Sequence, residues 1–180
     1  MLTIRVATVH DIPCLQTLIA NSIRKLGVAD YTSEQIDLAL QGAFGVDTQL
    51  INDGTYFVVV QSDAIIGCGG WSRRKTLFGS DQRANRDDGF LDPINDAAKI
   101  RAFFVDPTRA RMGVGSLLLS HCEAQATLHG FQSFELMATL PGVRLYERRG
   151  YQAGEPIEFP LSSHITIRFV PMRKSKSIGA

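Results

Sequence analysis

The sequence predicts one α/β domain built around a mixed sheet. Strand-like apolar runs alternate with helical patterns along the chain, as in sheets that are covered by helices. No repeat or linker divides the 180 residues, a length at which one domain is the default. The apolar share of 44% and the charged share of 21% are those of an ordinary globular protein. We expect residues 1–172 to form the domain and the small, basic segment 173–180 to be a flexible tail.

The first half of the chain carries signals for two helices and three strands. The first helix follows Asp11, an N-cap residue, and has Pro13 in its first turn. Thr32 or Ser33 caps a second helix, which runs from Glu34 to about Phe44. The predicted strands are Thr3–Ala7, Tyr56–Val60 and Ala64–Trp71, of which the last two are joined by a short polar turn.

Residues 72–96 interrupt the regular pattern with many polar residues and are predicted to form a long loop. Beyond them, a turn with two glycines, Gly113 and Gly115, opens a helix that includes Val114 in its apolar row and stops at His129-Gly130. A shorter helix begins at Pro141 and ends near Arg149. The predicted strands of this half are Ala98–Val105, Ser133–Thr139, Glu155–Leu161 and Ile165–Val170, of which the last two form a hairpin.

The composition excludes several classes of function. Lys and Arg (19) nearly balance Asp and Glu (18), so the basic surface that nucleic-acid binding requires is missing. The first residues lack a signal peptide and no apolar run is long enough to span a membrane, so we expect a cytoplasmic protein without a membrane partner. Cys14, Cys68 and Cys122 lack metal-type spacing and lie in apolar segments, which predicts buried, reduced thiols and no metal.

The most informative segment runs from Val105 to Leu119. An apolar strand ends at Val105, and two glycines follow among basic residues, immediately before an apolar helical pattern. Backbone N–H groups at a helix start have no partner within the helix, so such a turn favours an anion. We expect the N–H groups from about Arg111 to Ser116 to bind a phosphate, because glycine lets the ligand approach the backbone closely.

Three glycine-rich phosphate motifs compete for this segment. A Walker loop is absent from the chain, and the dinucleotide fingerprint Gly-x-Gly-x-x-Gly has Leu118 at its third glycine, which would spoil the packing of helix on strand. The third motif, Arg/Gln-x-x-Gly-x-Gly/Ala, is matched by Gly113 and Gly115, with Ala110 at the Arg/Gln position. In this motif the chain resembles the GCN5-related N-acetyltransferase (GNAT) superfamily.

A second segment strengthens the resemblance. Leu145, Tyr146, Gly150 and Tyr151 match the family's Leu-Tyr-x-x-x-Gly-Phe/Tyr signature, and Thr139 stands where the family usually has Asn. The two segments are separated by one strand, as in the family. The resemblance implies a mixed, mostly antiparallel sheet of about seven strands, with helices on both faces and a central parallel pair splayed to hold coenzyme A (CoA).

The resemblance also implies an N-acetyltransferase, which transfers an acetyl group from acetyl-CoA to a primary amine of a small molecule or peptide by direct attack in a ternary complex. Tyr146 would be the catalytic acid that protonates the CoA thiolate. Dimerisation is common in the family, but this sequence carries no signal for a homodimer. The residues expected to bind CoA are Phe103, Phe104, Val105, Arg111, Met112, Gly113, Val114, Gly115, Ser116 and Thr139.

The acceptor site should be built by the N-terminal helices and residues 72–96, because the second half of the chain is committed to CoA. Tyr31, Trp71 and Phe78 are candidate walls of that site. A base must accept the amine proton, and the sequence favours none of its candidates, which are His10, Glu34, Asp96 and Glu135.

Two alternative functions remain open. The first is a CoA-binding module without turnover, which serves as a sensor or an assembly partner; Ala110 and Thr139, at positions where the family has longer polar side chains, keep it open. The second is an acyltransferase with a longer acyl donor or a hydroxyl acceptor, because the spacing of the motifs does not depend on either.

Overall fold

A computed structural model describes residues 1–81 and 87–175. Its helices are α1 (Ile12–Leu26), α2 (Ser33–Ala39), α3 (Thr48–Asn52), α4 (Val114–Leu128) and α5 (Val143–Arg148). Its strands are β1 (Leu2–Val6), β2 (Tyr56–Gln61), β3 (Ala64–Ser72), β4 (Ala98–Val105), β5 (Ser133–Thr139), β6 (Gln152–Ala153), β7 (Ile157–Pro160) and β8 (Thr166–Ser175). They form one sheet in the order β1-β2-β3-β4-β5-β8-β6, and β7 pairs with β8.

The sheet is mixed, as the sequence predicts. Among the described strands only β4 and β5 are parallel, and they pair at two positions near their starts, Ala98 with Phe134 and Lys99 with Glu135. Beyond these pairs β5 continues along β8 as far as Thr139, whereas β4 continues along β3. The central parallel pair therefore separates towards its carboxyl end, which confirms the splayed arrangement.

Helices cover both faces of the sheet and divide the core in two. The apolar sides of α1 and α2 bury residues such as Leu15 and Ile36 against one face. On the other face, α4 buries Leu118 and Cys122, and α5 buries Tyr146. Burial of apolar side chains on each face supplies most of the energy that holds the helices to the sheet.

Four local features differ from the prediction. The second helix ends at Ala39 instead of Phe44, and the chain turns back so that the Phe44 N–H donates to the Ala39 carbonyl. The short α3, capped by the Asp47 carboxylate, was not predicted, and neither was β6. Cys14 is exposed rather than buried.

The end of the chain also differs from the prediction. Strand β8 runs to Ser175, because β5 offers it backbone partners as far as Ser133. The prediction of a flexible tail is therefore wrong for 173–175, and residues 176–180 lie outside the described residues. The predicted loop 72–96 is irregular after Ser72 wherever the structure describes it; residues 82–86 lie outside that description.

Candidate active site

A bulge in β4 creates the separation between β4 and β5. Ala102 has φ of +55°, and the register of β4 on β3 shifts there, so that Ala102 and Phe103 lie opposite the single residue Gly69. A bulge re-aims the strand beyond it. The Ala102 carbonyl accepts a hydrogen bond from the Tyr56 hydroxyl at 3.1 Å, which helps to hold this strained backbone.

The bulge also depends on a missing side chain in β3. A Cβ atom at Gly69 would lie 2.6 Å from the Phe103 ring, a distance that real Cβ contacts do not show. Glycine at this position leaves space for the Phe103 ring, which approaches Tyr146 with 6.5 Å between ring centroids. The bulge thereby brings a β4 side chain into contact with α5.

A cavity lies where β4 and β5 diverge. Phe103 and Phe104 line it from β4, Thr139 from the end of β5, and Tyr146 from α5. The remaining wall comes from β8 and from two loops, one before α3 and one after β3. Four of the residues that were predicted to bind CoA or to catalyse the acetyl transfer therefore lie around one cavity.

The segment Arg111–Ser116, here called the cradle, lies at the start of α4. Arg111 and Gly113 have positive φ, +63° and +87°, and Gly113 is the N-cap of the helix. Within the described chain, the N–H groups of Arg111, Gly113, Val114, Gly115 and Ser116 have no hydrogen-bond acceptor. A Cβ atom on Gly113 would meet nothing within 4 Å, so this backbone is open to solvent.

The cradle side chains play unequal parts. Met112 and Arg111 are exposed, whereas Val114 is buried and its side chain packs towards β3. Only the backbone of Val114 therefore faces outward. Arg109 and Arg111 form no ion pair with a described residue, so both leave positive charge near the open N–H groups.

A further arginine lies beside the cradle, and sequence reasoning did not single it out. Arg149, at the end of α5, donates hydrogen bonds of 3.0 Å to the Ser116 carbonyl and to the Ser120 hydroxyl. These bonds fix a guanidinium group along the first turns of α4. Arg149 therefore brings a fixed guanidinium group from α5 to the side of the cradle. At position 110, where the motif has Arg or Gln, this chain has only the methyl side chain of alanine.

Tyr146 is buried between the sheet and α5. Its ring contacts Phe103 and Tyr151, and among the described residues its hydroxyl has no hydrogen-bond partner. Burial raises the pKa of Tyr146 above the usual value of a phenol, so the hydroxyl keeps its proton at neutral pH. The side chain lines the cavity, and a protonated hydroxyl there can donate to a neighbouring anion.

The β4 backbone opposite β5 has few partners beyond the bulge. Pairing with β5 ends at Lys99, so the β5-facing edge of Phe103 and Phe104 has no described strand beside it. The Val105 N–H is an exception, because it donates to the Ser22 hydroxyl of α1 at 3.3 Å. That N–H is therefore occupied in this structure.

Two of the three candidate acceptor walls lie elsewhere. Tyr31 is buried, and its hydroxyl donates to the Arg168 carbonyl at 2.8 Å and accepts from the Leu140 N–H at 2.9 Å. It therefore ties the loop after α1 to β8 and to the turn after β5. Trp71 lies in the core beneath α4, packed on Phe131. Phe78 does line the cavity.

None of the four candidate bases is among the described residues that line the cavity. Glu135 is engaged in an ion pair with Lys99, and Asp96 accepts a hydrogen bond from the Asp92 N–H. His10 is exposed in the short helical turn before α1, and Glu34 is exposed in the first turn of α2. The described lining of the cavity therefore supplies support for none of these four candidates as the base.

Sequence reasoning also missed the ion pair beneath the cavity. Arg101 of β4 lines the cavity and pairs with Asp47, the residue that caps α3, and both side chains are almost completely buried. The sequence signal was a charged residue in a mostly apolar strand, which requires a partner when buried. The partner itself is 54 residues away and could not be read from the pattern.

Solved structures of known proteins share this fold. A GCN5-related N-acetyltransferase from Rhodopseudomonas palustris is 16% identical over 96% of this chain and 94% of its own, with a TM-score of 0.71. A PaiA N-acetyltransferase from Thermoplasma acidophilum, solved in complex with coenzyme A, is 13% identical over 97% and 99%, with a TM-score of 0.66. The ribosomal-protein-S18-alanine N-acetyltransferase from Escherichia coli is 15% identical over 100% and 97%, with a TM-score of 0.62.

Comparison by sequence gives a family but no individual relative. No curated protein sequence matches the chain significantly. Among the described residues, no helix has the length and apolar character needed to cross a membrane. The family model for the acetyltransferase (GNAT) family matches residues 21–151, which include the β4 bulge, the cradle and Tyr146. This chain belongs to the GNAT acetyltransferase family.

Proposed function

We propose that the protein transfers an acetyl group from acetyl-CoA to an amine, by direct attack of the amine while both substrates are bound. The observation that carries the proposal is the position of Tyr146 of α5 in the cavity between β4 and β5, since β4 is the strand that leads into the cradle. An anion site and a proton donor thus flank one opening in the sheet.

The cradle has the properties that a diphosphate requires. Its five open N–H groups and the positive end of α4 favour a negative charge, and the space beside Gly113 admits a ligand up to the backbone. We expect Arg111, Met112, Gly113, Val114, Gly115 and Ser116 to hold the diphosphate of CoA mainly through the backbone. The pantetheine arm of CoA would then lie along Phe103–Val105, near Thr139.

The side chains of Thr139 and Tyr146 lie close together beside Gly142, and we propose a different role for each. The Thr139 hydroxyl and the Tyr146 ring both lie 3.2–3.3 Å from the place where a Cβ atom on Gly142 would sit. In the proposed reaction Thr139 binds an amide of the arm, whereas Tyr146 gives its proton to the departing thiolate. General-acid help of this kind is typically worth about 10²–10⁴-fold in rate.

A thiol-release assay with acetyl-CoA and a panel of amines tests this function. We expect amine-dependent release of CoA thiol and an N-acetylated product of matching mass. Binding of acetyl-CoA without amine-dependent release would contradict the proposal and favour the non-catalytic CoA-binding module. Competition by longer acyl-CoAs in a melting experiment decides the donor, because a preference for a long chain would replace acetyl as the transferred group.

A further inference from the structure

The acceptor end of the cavity is strongly aromatic. Phe44, from the loop before α3, and Phe78, from the loop after β3, enter it beside Phe169 of β8. The Phe44 and Phe78 rings each contact Phe169 edge to face, at 5.9 and 5.4 Å between centroids. The Phe44 and Phe78 rings belong to loops outside the CoA-binding half of the chain, so with Phe169 they form the wall that we expect the acceptor to meet.

The same wall is poor in negative charge. The described residues that line the cavity include no carboxylate and no imidazole. The Asp47 carboxylate, which pairs with the lining residue Arg101, is not in the lining itself and is fully buried. An incoming ammonium group would therefore lose its hydration without gaining a carboxylate in return.

An amine can nevertheless attack if it enters without a charge. Removal of water disfavours the charged form of an amine and lowers its pKa, so an apolar wall shifts bound amines towards the reactive neutral form. An aliphatic polyamine carries several positive charges at neutral pH, and each of them would have to be desolvated or lost on entry. The cavity consequently discriminates between acceptors by charge as well as by shape.

We propose that the acceptor is a weakly basic amine carried on an apolar, aromatic body, and that it enters the cavity uncharged. This inference rests on the proposed function and names the class of its acceptor. The amine nitrogen forms the C–N bond, the C–S bond breaks, and Tyr146 gives its proton to the thiolate. The proton that the nitrogen loses returns to Tyr146, directly or through water, so a neutral amine needs no separate base.

The described charged and titratable groups around the cavity include no other group that would act as a base in this proton transfer. In the described lining, the charged or titratable side chains are those of Arg101 of β4 and Tyr146 of α5, and Arg101 is paired with Asp47. Tyr56 of β2 and Cys68 of β3 lie behind the bulge, where burial raises the pKa of the Cys68 thiol to about 12 and that of the Tyr56 phenol as well. Both stay neutral near pH 7, so no described group here gains a negative charge as the pH rises to 9.

Three acceptors with acetyl-CoA test the inference. An arylamine such as 4-methylaniline is aromatic and mostly uncharged at neutral pH, benzylamine is aromatic but charged, and spermidine is charged and aliphatic. We expect kcat/KM at pH 7 to be at least about 10²-fold higher for the arylamine than for spermidine. For benzylamine we expect kcat/KM to rise about tenfold per pH unit from pH 7 to 8, whereas the arylamine profile stays flat.

Two variants separate the wall from the fold. Phe78→Ala removes a ring of the acceptor wall, and we expect it to lower kcat/KM for the arylamine about tenfold or more without changing the affinity for acetyl-CoA. Phe90→Ala is the matched control, because Phe90 is 61% exposed and lies outside the cavity lining. Its kcat/KM should equal that of the wild type.

The outcomes distinguish this inference from the proposed function. Efficient acetylation of spermidine in preference to both aromatic amines overturns the inference and leaves the acetyltransferase function standing. An arylamine profile that rises with pH overturns it as well, because a base on the enzyme would then be required. Failure to acetylate any amine, with acetyl-CoA bound, overturns the proposed function and the inference together.

Discussion

Tyr146 concentrates the proposed chemistry in one hydroxyl group. Replacement by phenylalanine keeps the ring that packs on Phe103 and Tyr151 and removes only the proton donor. We expect Tyr146→Phe to lower kcat by about 10²-fold or more, with no change in the Kd for acetyl-CoA, because the hydroxyl acts on the leaving group rather than on binding. Steady-state thiol release and calorimetric titration measure the two quantities.

Tyr151→Phe provides the control for this substitution. Tyr151 is another buried tyrosine of the same cluster, but it does not line the cavity. We expect its loss of a hydroxyl to leave kcat within about twofold of the wild type. Equal activity of Tyr146→Phe and the wild type would contradict the assignment of Tyr146 as the acid.

Gly113 tests the cradle at a single position. Its φ of +87° strains any other residue, and a glutamate there would put a carboxylate next to the N–H groups expected to meet the diphosphate. We expect Gly113→Glu to weaken CoA binding by at least about 10²-fold, while the far-ultraviolet spectrum stays that of the wild type. Titration with CoA measures the affinity.

Gly54→Glu is a matched control for the cradle variant. Gly54 also has a positive φ, +70°, and also has nothing within 4 Å of its missing Cβ atom, but it lies in the turn between α3 and β2. Both variants should lose a similar free energy of unfolding, about 1–2 kcal/mol. If the Gly54 variant lost CoA affinity to the same extent, the cradle assignment would fail.

At the scale of the element, Asp11 joins β1 to α1. Its carboxylate accepts hydrogen bonds from Arg5 at 2.7 and 2.8 Å and from the Thr8 N–H at 2.7 Å. The Arg5 guanidinium, and then the Thr8 groups, hold the pKa of Asp11 well below the usual value of an aspartate. A carboxylate with a lowered pKa in the folded state stabilises the fold above its unfolded pKa, near 4, and loses that stabilisation as the pH falls.

Asp11→Asn should therefore cost about 1–2 kcal/mol of unfolding free energy at pH 7, a value kept small because Arg5 is half exposed. The difference between variant and wild type should shrink as the pH falls from about 5 to 3. Urea denaturation at several pH values measures it. A constant difference across that range would show that the charge of Asp11 does not contribute.

The elements that sequence patterns predicted best are those with local signals. The strands 98–105 and 133–139 and the helix 114–128 have the predicted bounds. Apolar periodicity runs through each of them, and the glycine turn and Gly130 mark the two ends of the helix. The short α3 and β6 lacked such a signal. Their formation depends on a cap at Asp47 and on pairing with the distant β8.

The candidate site shows the same division. The cradle could be located from sequence, because its glycines and the helix start are consecutive in the chain. The bulge at Ala102 could not, since it depends on Gly69 leaving room for the Phe103 ring. Tyr31 resembled a wall residue until the fold showed its hydroxyl bridging Arg168 and Leu140. Contacts between distant segments decide such roles.

At the scale of the whole molecule, the sheet is two antiparallel parts joined at one seam. The strands β1–β4 form one part and β5–β8 the other. In the part of the chain that the structure describes, only the two residue pairs at the start of β4 and β5 connect them through the sheet. Few backbone hydrogen bonds hold the open end of this seam, so local opening there should require less energy than opening of either part. A ligand that lies in the seam and touches both sides would tie the parts together.

Acetyl-CoA should therefore stabilise the molecule and protect the seam. At a concentration of 100 times Kd, a ligand that binds only the folded state adds about 2.7 kcal/mol, which corresponds to a rise in Tm of roughly 5–10 °C for a chain of this length. In hydrogen exchange, we expect slower exchange in Phe103–Val105, in the cradle and in α5, because these segments face the bound donor. The edge strand β1 should be unaffected, because it lies three strands from the seam. Protection of β1 without protection of the cradle would mean that the donor binds elsewhere on the fold.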